Sequence, residues 1–313
     1  VPAPTRARPG AAALAAALAL LAAPAAAQLL PWEVVVAEIE AGILRPRVQR
    51  LVKQFVLYQL HLGEVGKGDL VATVEEIDRI LESLEKGSTS HSIPAAWTSA
   101  LRERVHRLQG LWGPMRRVAA ASPYEYVRIM QEFVPQTSRR ADPLALGYFD
   151  DLGAQLMAGS EHLLVAYHEE CVRTGLADIC PTAQTAGYGE MLIERATTEA
   201  IYIVADIDQE ESRGRLRKTI ESYRELRRAN DRSPFFAAAL DPERGVSARA
   251  AAQLFASLRE DWDVMEREFT ILAAGDERNF DLRRLLETQR TLVEKVERFT
   301  AAMVRYASVT YGG

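Results

Sequence analysis

The sequence has few residues that do chemistry alone and few that interrupt a chain. It holds two cysteines and five histidines, the histidines scattered singly. It carries no G-x-S-x-G, no H-E-x-x-H, no P-loop and no G-x-G-x-x-G. The familiar nucleophile, zinc, phosphate and dinucleotide sites are therefore not written in it. The stretch "YHEEC" at 167–171 gathers polar groups beside a cysteine but offers no base with an orienting partner. The expectation is a protein that is not an enzyme and needs no cofactor or metal. Strand-type alternation is nearly absent, and no long disordered tract stands out. Positive charge is not in excess: 38 basic residues face 43 acidic ones, for a net charge of -5. That balance gives no electrostatic reason to expect nucleic acid as a partner. Arginine clusters such as Arg45/Arg47/Arg50 and Arg213/Arg215/Arg217 read as faces of charge-mixed helices.

One segment stands apart in composition. Residues 1–27, "VPAPTRARPGAAALAAALALLAAPAAA", open with Arg6 and Arg8 and continue with an apolar run at 11–23. Ala25 and Ala27 then supply the small residues that a signal peptidase needs. This is the pattern of a cleaved secretory signal, with cleavage expected after Ala27. No later stretch has the apolar length of a membrane-spanning helix. The expected location is periplasmic or secreted.

The cysteines suit that compartment. Cys171 and Cys180 lie in "CVRTGLADIC", and an even count in an exported chain favours a disulfide. So short a loop gives a modest stabilisation, about 2–3 kcal/mol. Two thiols with His168 as a thin third ligand make a poor zinc site.

What the chain does contain is helical periodicity. Apolar residues recur at spacings of three and four almost everywhere; Met191, Leu192, Ala196, Ala200, Ile203, Val204 and Ile207 share one broad face. Ser122-Pro123 reads as a helix N-cap followed by proline at the first helical position. The stretch from Gly87 to Pro94 separates two helices, and "NDRSPFF" at 230–236 does the same later. The pattern also occurs twice. Ala41-Gly42 and Ala186-Gly187 open two similar segments 145 residues apart, with Arg50 and Arg195 at the same offset. L-x-x-x-W-x-x-M-x-R follows as Leu108/Trp112/Met115/Arg117 and as Leu258/Trp262/Met265/Arg267. Each segment closes on V-x-Y, at Val165/Tyr167 and Val304/Tyr306. The tryptophan and methionine, one helical turn apart, are expected to be core. The expected fold is all-α: two tandem up-down four-helix bundles at 28–172 and 181–311.

The second segment, "AGYGEMLIERATTEAIYIVADIDQEESRGRLRKTIESY", resembles the opening of the PilJ family. That family is the sensor domain at the N-terminus of type IV pili chemotaxis transducers, related to the periplasmic domains of nitrate/nitrite sensors. The resemblance rests on Ala186, Gly187, Met191, Leu192, Arg195, Ile207, Asp208, Glu210, Arg213, Leu216 and Ile220. The first segment matches at Ala41, Gly42, Arg45, Gln49 and Arg50. "AGILRPRVQR" is also similar to the nitrate-sensing variant at Ala41, Gly42, Leu44, Arg45 and Arg50. There the arginine aligned with Arg45 is implied to bind the anion, and a guanidinium suits a small planar oxyanion. Here Pro46 follows Arg45, and Glu190 holds the Arg45 position in the second copy.

Taken with the resemblance, the expectation is an exported, non-enzymatic sensory protein. It would bind a small molecule or anion and act through a membrane-bound or envelope partner. The alternative is a structural or adaptor protein with no ligand. The candidate ligand-binding residues are Arg45, Arg50, Glu190 and Arg195. The first helices, 33–62 and 185–208, are expected to lie close, with Arg45 and Glu190 near each other or near a shared cavity.

Overall fold

A computed structural model of the chain describes residues 29–137, 142–176, 180–232, 245–278 and 280–311. The expected signal segment lies outside the described residues. Among the described residues there are nine helices and no strand. They are α1 (Pro31–Leu60), α2 (Lys67–Lys86), α3 (Ser99–Ala120), α4 (Pro123–Phe133), α5 (Pro143–Arg173), α6 (Cys180–Val204), α7 (Gln209–Asp231), α8 (Gly245–Ala273) and α9 (Leu282–Tyr311). None of them is long and apolar enough to cross a membrane.

Local sequence accounts for the helix ends. The Ser122 hydroxyl accepts from the Glu125 amide while the Glu125 carboxylate accepts from the Ser122 amide, and Pro123 follows. This reciprocal pairing satisfies two of the donors that every helix start leaves open. Thr98 caps α3 and Asp142 caps α5 through their side-chain oxygens. Between α2 and α3, Ser88 and Ile93 pair as an isolated antiparallel bridge.

Contacts divide the helices into two closed rings. α1 packs on α2, α2 on α3, α3 on α5, and α5 back on α1; α6, α7, α8 and α9 close in the same way. Side-chain pairs give the directions. Gln54 meets Thr73, Arg47 meets Glu76 and Glu40 meets Arg79, so α2 runs antiparallel to α1. Arg217 reaches the Ala273 carbonyl, Arg224 meets Glu266 and Asp231 meets Arg259, so α8 runs antiparallel to α7. The first ring carries an additional short helix, α4, against α3. Trp112 and Met115 are core in the first ring, and Trp262 and Met265 in the second. Each indole N–H finds a carboxylate, Asp78 at 2.7 Å and Glu266 at 2.8 Å.

The rings meet along α1 and α6, and residues from Pro31 onward form one compact unit. These helices run parallel and in register. Gly187 packs on the Gly42 backbone, Arg50 meets Glu194, and Val56 and Leu57 cluster with Ile201 and Tyr202. The turns that end the two helices match at the same 145-residue offset. His61 and Gly63 have positive φ, as do Asp206 and Asp208. The Leu62 amide donates to the Leu57 carbonyl and the Ile207 amide to the Tyr202 carbonyl, both at 2.9 Å. A disulfide between Cys171, near the end of α5, and Cys180, at the start of α6, ties the rings covalently.

The crossing depends on one missing side chain. A Cβ on Gly187 would lie 2.6 Å from the Gly42 carbonyl oxygen, whereas a Cβ on Gly42 would meet only Leu164 Cδ1 at 3.9 Å. The Gly187→Ala variant should therefore lose about 1–3 kcal/mol through overpacking. Gly42→Ala should be neutral or gain up to about 1 kcal/mol from helix propensity. Urea denaturation of the two variants measures the difference; equal effects would remove the crossing from its place in this account.

Candidate functional site

The parallel pair α1–α6 is also where buried charge concentrates. Arg47, Arg50 and Lys53 recur every three residues along α1, so they climb one side of the helix. Glu190 and Glu194, four apart, form the facing stripe on α6. Glu190 and Glu194 are 2% and 0% exposed, and Arg47 and Lys53 are 6% and 7% exposed.

Each charge has partners of opposite sign. Glu190 binds both Arg47 and Arg50, the latter at 2.9 Å. Glu194 receives Arg50 Nε at 3.2 Å and Lys53 Nζ at 2.6 Å. The outer rungs come from neighbouring helices: Glu76 of α2 takes Arg47 Nε at 2.5 Å. Glu297 of α9 takes Arg47 at 3.1 Å and Arg50 at 2.9 Å, and Gln289 of α9 takes Lys53 at 2.9 Å. Burial alone would push the Glu194 carboxyl up, but Lys53 and Arg50 bring it below the usual carboxylate range. Burial likewise opposes the charge on Arg50, yet Glu194, Glu190 and Glu297 raise its pKa. Glu194 and Arg50 are therefore held ionised by their neighbours, whereas at Glu190 burial outweighs Arg47 and Arg50 and raises the carboxyl.

The expected Arg45–Glu190 pair is not what forms. Arg45 is buried and its guanidinium binds Glu161 of α5 at 2.6 Å, with its charge 5.4 Å from the centre of the Tyr188 ring. Burial lowers its pKa, with Glu161 opposing. The reason is rotation: two residues advance a helix by about 200°, so Arg45 and Arg47 point to opposite sides of α1. Arg47, read from sequence as part of a charge-mixed face, takes the inner place. Arg50 and Glu190 do meet. Arg195 is exposed, outside the ladder.

A second cluster lies toward the far end of α6. Both oxygens of Glu199 accept from Arg215 Nε at 2.9 Å, and Glu211 takes Arg215 Nη1 at 2.8 Å. Asp150 of α5 and Arg195 act on this group electrostatically, and Tyr202 places its ring 5.9 Å from the Arg215 charge. Burial pushes the Glu199 carboxyl up to about 7 against the pull of Arg215, with Asp150 adding to the rise. Asp150 is also raised, again chiefly by burial.

A third group sits beside the disulfide. His168 Nδ1 lies 2.8 Å from the fully buried Glu38, and this hydrogen bond raises the histidine pKa. Glu38, Cys171 and Cys180 are close enough together to suggest a metal site. The sulfurs are bonded to each other, which leaves no thiolate to ligate an ion.

Sequence reasoning missed Lys53, Glu194, Glu199, Arg215, Gln289 and Glu297. For Lys53 a signal existed. α1 is apolar around most of its circumference, so cations on it at three-residue spacing require buried partners.

Residues 39–129 match the family described as "Type IV pili methyl-accepting chemotaxis transducer N-term". The matched stretch runs from within α1 through α2 and α3 into α4, and so includes the cationic wall of the ladder. This part of the chain is similar to the N-terminal helical domain of such transducers. No curated protein and no solved structure matches the chain.

Two measurements follow. Glu190→Ala removes one of the two carboxylates that Arg47 and Arg50 share and should cost about 1.5–3 kcal/mol, while Arg195→Ala should stay within about 0.5 kcal/mol. Glu199 has a folded pKa above its unfolded one. Its contribution is complete below about pH 4.5 and is lost as pH rises through about 7. At about 1.4 kcal/mol per unit, that loss is roughly 3 kcal/mol. Urea melts at pH 5 and pH 8 should show the loss in the wild type and its removal in Glu199→Gln.

Proposed function

We propose that the protein is an exported, non-enzymatic sensor-type protein of the cell envelope, built from two tandem up-down four-helix bundles at residues 28–172 and 181–311. In this reading residues 1–27 are a cleaved signal peptide, and the second bundle is a diverged copy of the first. The parallel helices α1 and α6 are the signal-bearing element, and a membrane-bound partner reads their state. The observation that carries this is the in-register pairing of α1 with α6 at the 145-residue offset, down to matching terminal turns. Two copies of one sensor domain paired through their first helices would meet in this way. The family match on residues 39–129 supports the same reading.

The ligand-binding residues in this reading remain Arg45, Arg50, Glu190 and Arg195, with Arg50 and Glu190 at the seam itself. A small planar anion such as nitrate would compete with Glu190 for Arg50 and its neighbour Arg47. One observation favours the second reading, an adaptor without a small ligand: Glu190 and Glu194 already neutralise the cations that an anion would seek.

Thermal denaturation with nitrate separates the two. A sensor at a hundredfold excess over Kd gains about 2.7 kcal/mol, which raises Tm by about 2 °C or more in a chain of this size. Glu190→Gln, which removes one of the negative charges on Arg47 and Arg50, should enlarge the nitrate response. No response to nitrate or to other small anions in either protein would sink the sensor reading and leave the adaptor.

A further inference from the structure

The joint between the rings holds more than a disulfide. On α1, Glu38 stands in the run Val34, Val35, Val36, Ala37 and Ile39, and it is as buried as they are, at 0% exposed. A carboxylate in such a place is costly unless positive charge comes to meet it. Cys171 of α5 and Cys180 of α6 lie beside it and are equally buried. A carboxylate oxygen of Glu38 and the two sulfurs are within 4.8 Å of one another. Bonded to each other, the sulfurs bring Glu38 no charge. His168 Nδ1 meets it at 2.8 Å from a partly exposed position.

With the sulfurs reduced, the same atoms make a different kind of site. The sequence offers two thiols and His168; the fold adds Glu38 from α1, more than a hundred residues away in the chain. Zinc bonds of about 2.3 Å to sulfur and 2.0 Å to oxygen hold tetrahedral ligand atoms roughly 3–4 Å apart. The group already lies at that scale. The cysteine Cα atoms are 6.1 Å apart, so the sulfurs can part to ligand spacing by side-chain rotation with the backbone in place. Thiolates select zinc over the oxygen-seeking magnesium and calcium ions. His168, hydrogen-bonded to Glu38, orients the carboxylate as carboxylate–histidine pairs do around metals. The charges also balance: zinc and a protonated His168 together match two thiolates and one carboxylate. The hydrogen bond to Glu38 favours that protonated histidine.

We propose that the reduced chain binds one zinc ion through Cys171, Cys180 and Glu38, and that oxidation to the disulfide releases it. The oxidant is a disulfide, carried by a small thiol compound or a thiol-exchange protein. Its S–S bond breaks, the two cysteine sulfurs join, and two electrons pass from the cysteines to the oxidant. The oxidant's two thiolates take up protons from water, and the ion leaves because both of its sulfur ligands are gone. In either state α5 and α6 are tied at one point, by a metal ion that also holds α1 or by a covalent bond. The site shares no residue with the charge ladder and does not depend on nitrate binding at the seam.

The test uses the chain from residue 28, reduced with a phosphine in urea and refolded without oxygen, with and without zinc chloride. The disulfide form is the control. Reduced protein should bind one zinc ion, gain about 2 °C or more in Tm at a hundredfold excess over Kd, and lose that gain to EDTA. Cobalt in its place should show the charge-transfer absorption of a thiolate-bound ion. The disulfide form should show neither, and glutathione disulfide should release zinc from the loaded protein as its free thiols disappear. Glu38→Gln keeps the side-chain volume and should lose at least tenfold in zinc affinity. His168→Gln should lose about tenfold, and at its partly exposed position it decides the matter should Glu38→Gln fail to fold. A reduced chain that binds no zinc, or that stays unfolded with zinc present, overturns the site. Equal binding by the disulfide form overturns it too, as does unchanged affinity in the folded variants.

Discussion

Two helices can come into backbone contact only where one of them carries no side chain toward the other. Gly187 is that place, with the Gly42 carbonyl within reach of where its Cβ would be. Everything that follows along α1 and α6 is constrained by this approach. With the backbones so close, most residues of the next three turns that face the seam are buried. Apolar residues accept that directly, as Val56, Leu57, Ile201 and Tyr202 do. Charged residues do not, and each must find its counter-charge within the seam. The ladder from Arg47 to Lys53 meets that requirement with partners from four helices, α1, α2, α6 and α9.

The sign pattern of the ladder bears on why one chain would carry the motif twice. In a symmetric pair of identical parallel helices, each position faces its own copy, and Arg47 and Arg50 would be drawn toward Arg47 and Arg50. α1 and α6 differ in sequence, so that restriction does not hold for them. Here α1 supplies the cations and α6 the carboxylates, and the meeting becomes attractive instead of repulsive. The guanidiniums of Arg47 and Arg50 are thereby already engaged by Glu190.

Much of this was legible before any coordinates. The 3.6-residue periodicity gives helices throughout, Ser122-Pro123 gives the start of α4, and the Trp/Met pairs mark the interior of both rings. The closeness of the first helices was implied by the resemblance to sensor domains, not by a local pattern. The partner of Arg45 was not legible. Equivalent offsets in two copies locate residues at the same height along a seam, but facing is set by the helix phase, and Arg45 turns outward to Glu161. The Glu199 cluster was hidden for a different reason. Its members come from α5, α6 and α7, and no local pattern in any of these announces the other two.

The ladder shares α6 with a small cavity in the second ring, lined by Gly189, Tyr223, Leu226, Phe255 and Phe299, and the nearest residues of the two are neighbours in sequence. Gly189 lines the cavity, and Glu190 holds Arg47 and Arg50. Successive residues on a helix point about 100° apart, so one faces the interior of the second ring while the next faces α1. Displacement of α6 at Gly189 therefore acts one residue away from the carboxylate that two buried guanidiniums depend on. At the height of Gly187 the helix has no room to move toward α1, because the Gly42 backbone is already in contact. Movement there is limited to rotation or to withdrawal, and both re-aim Glu190.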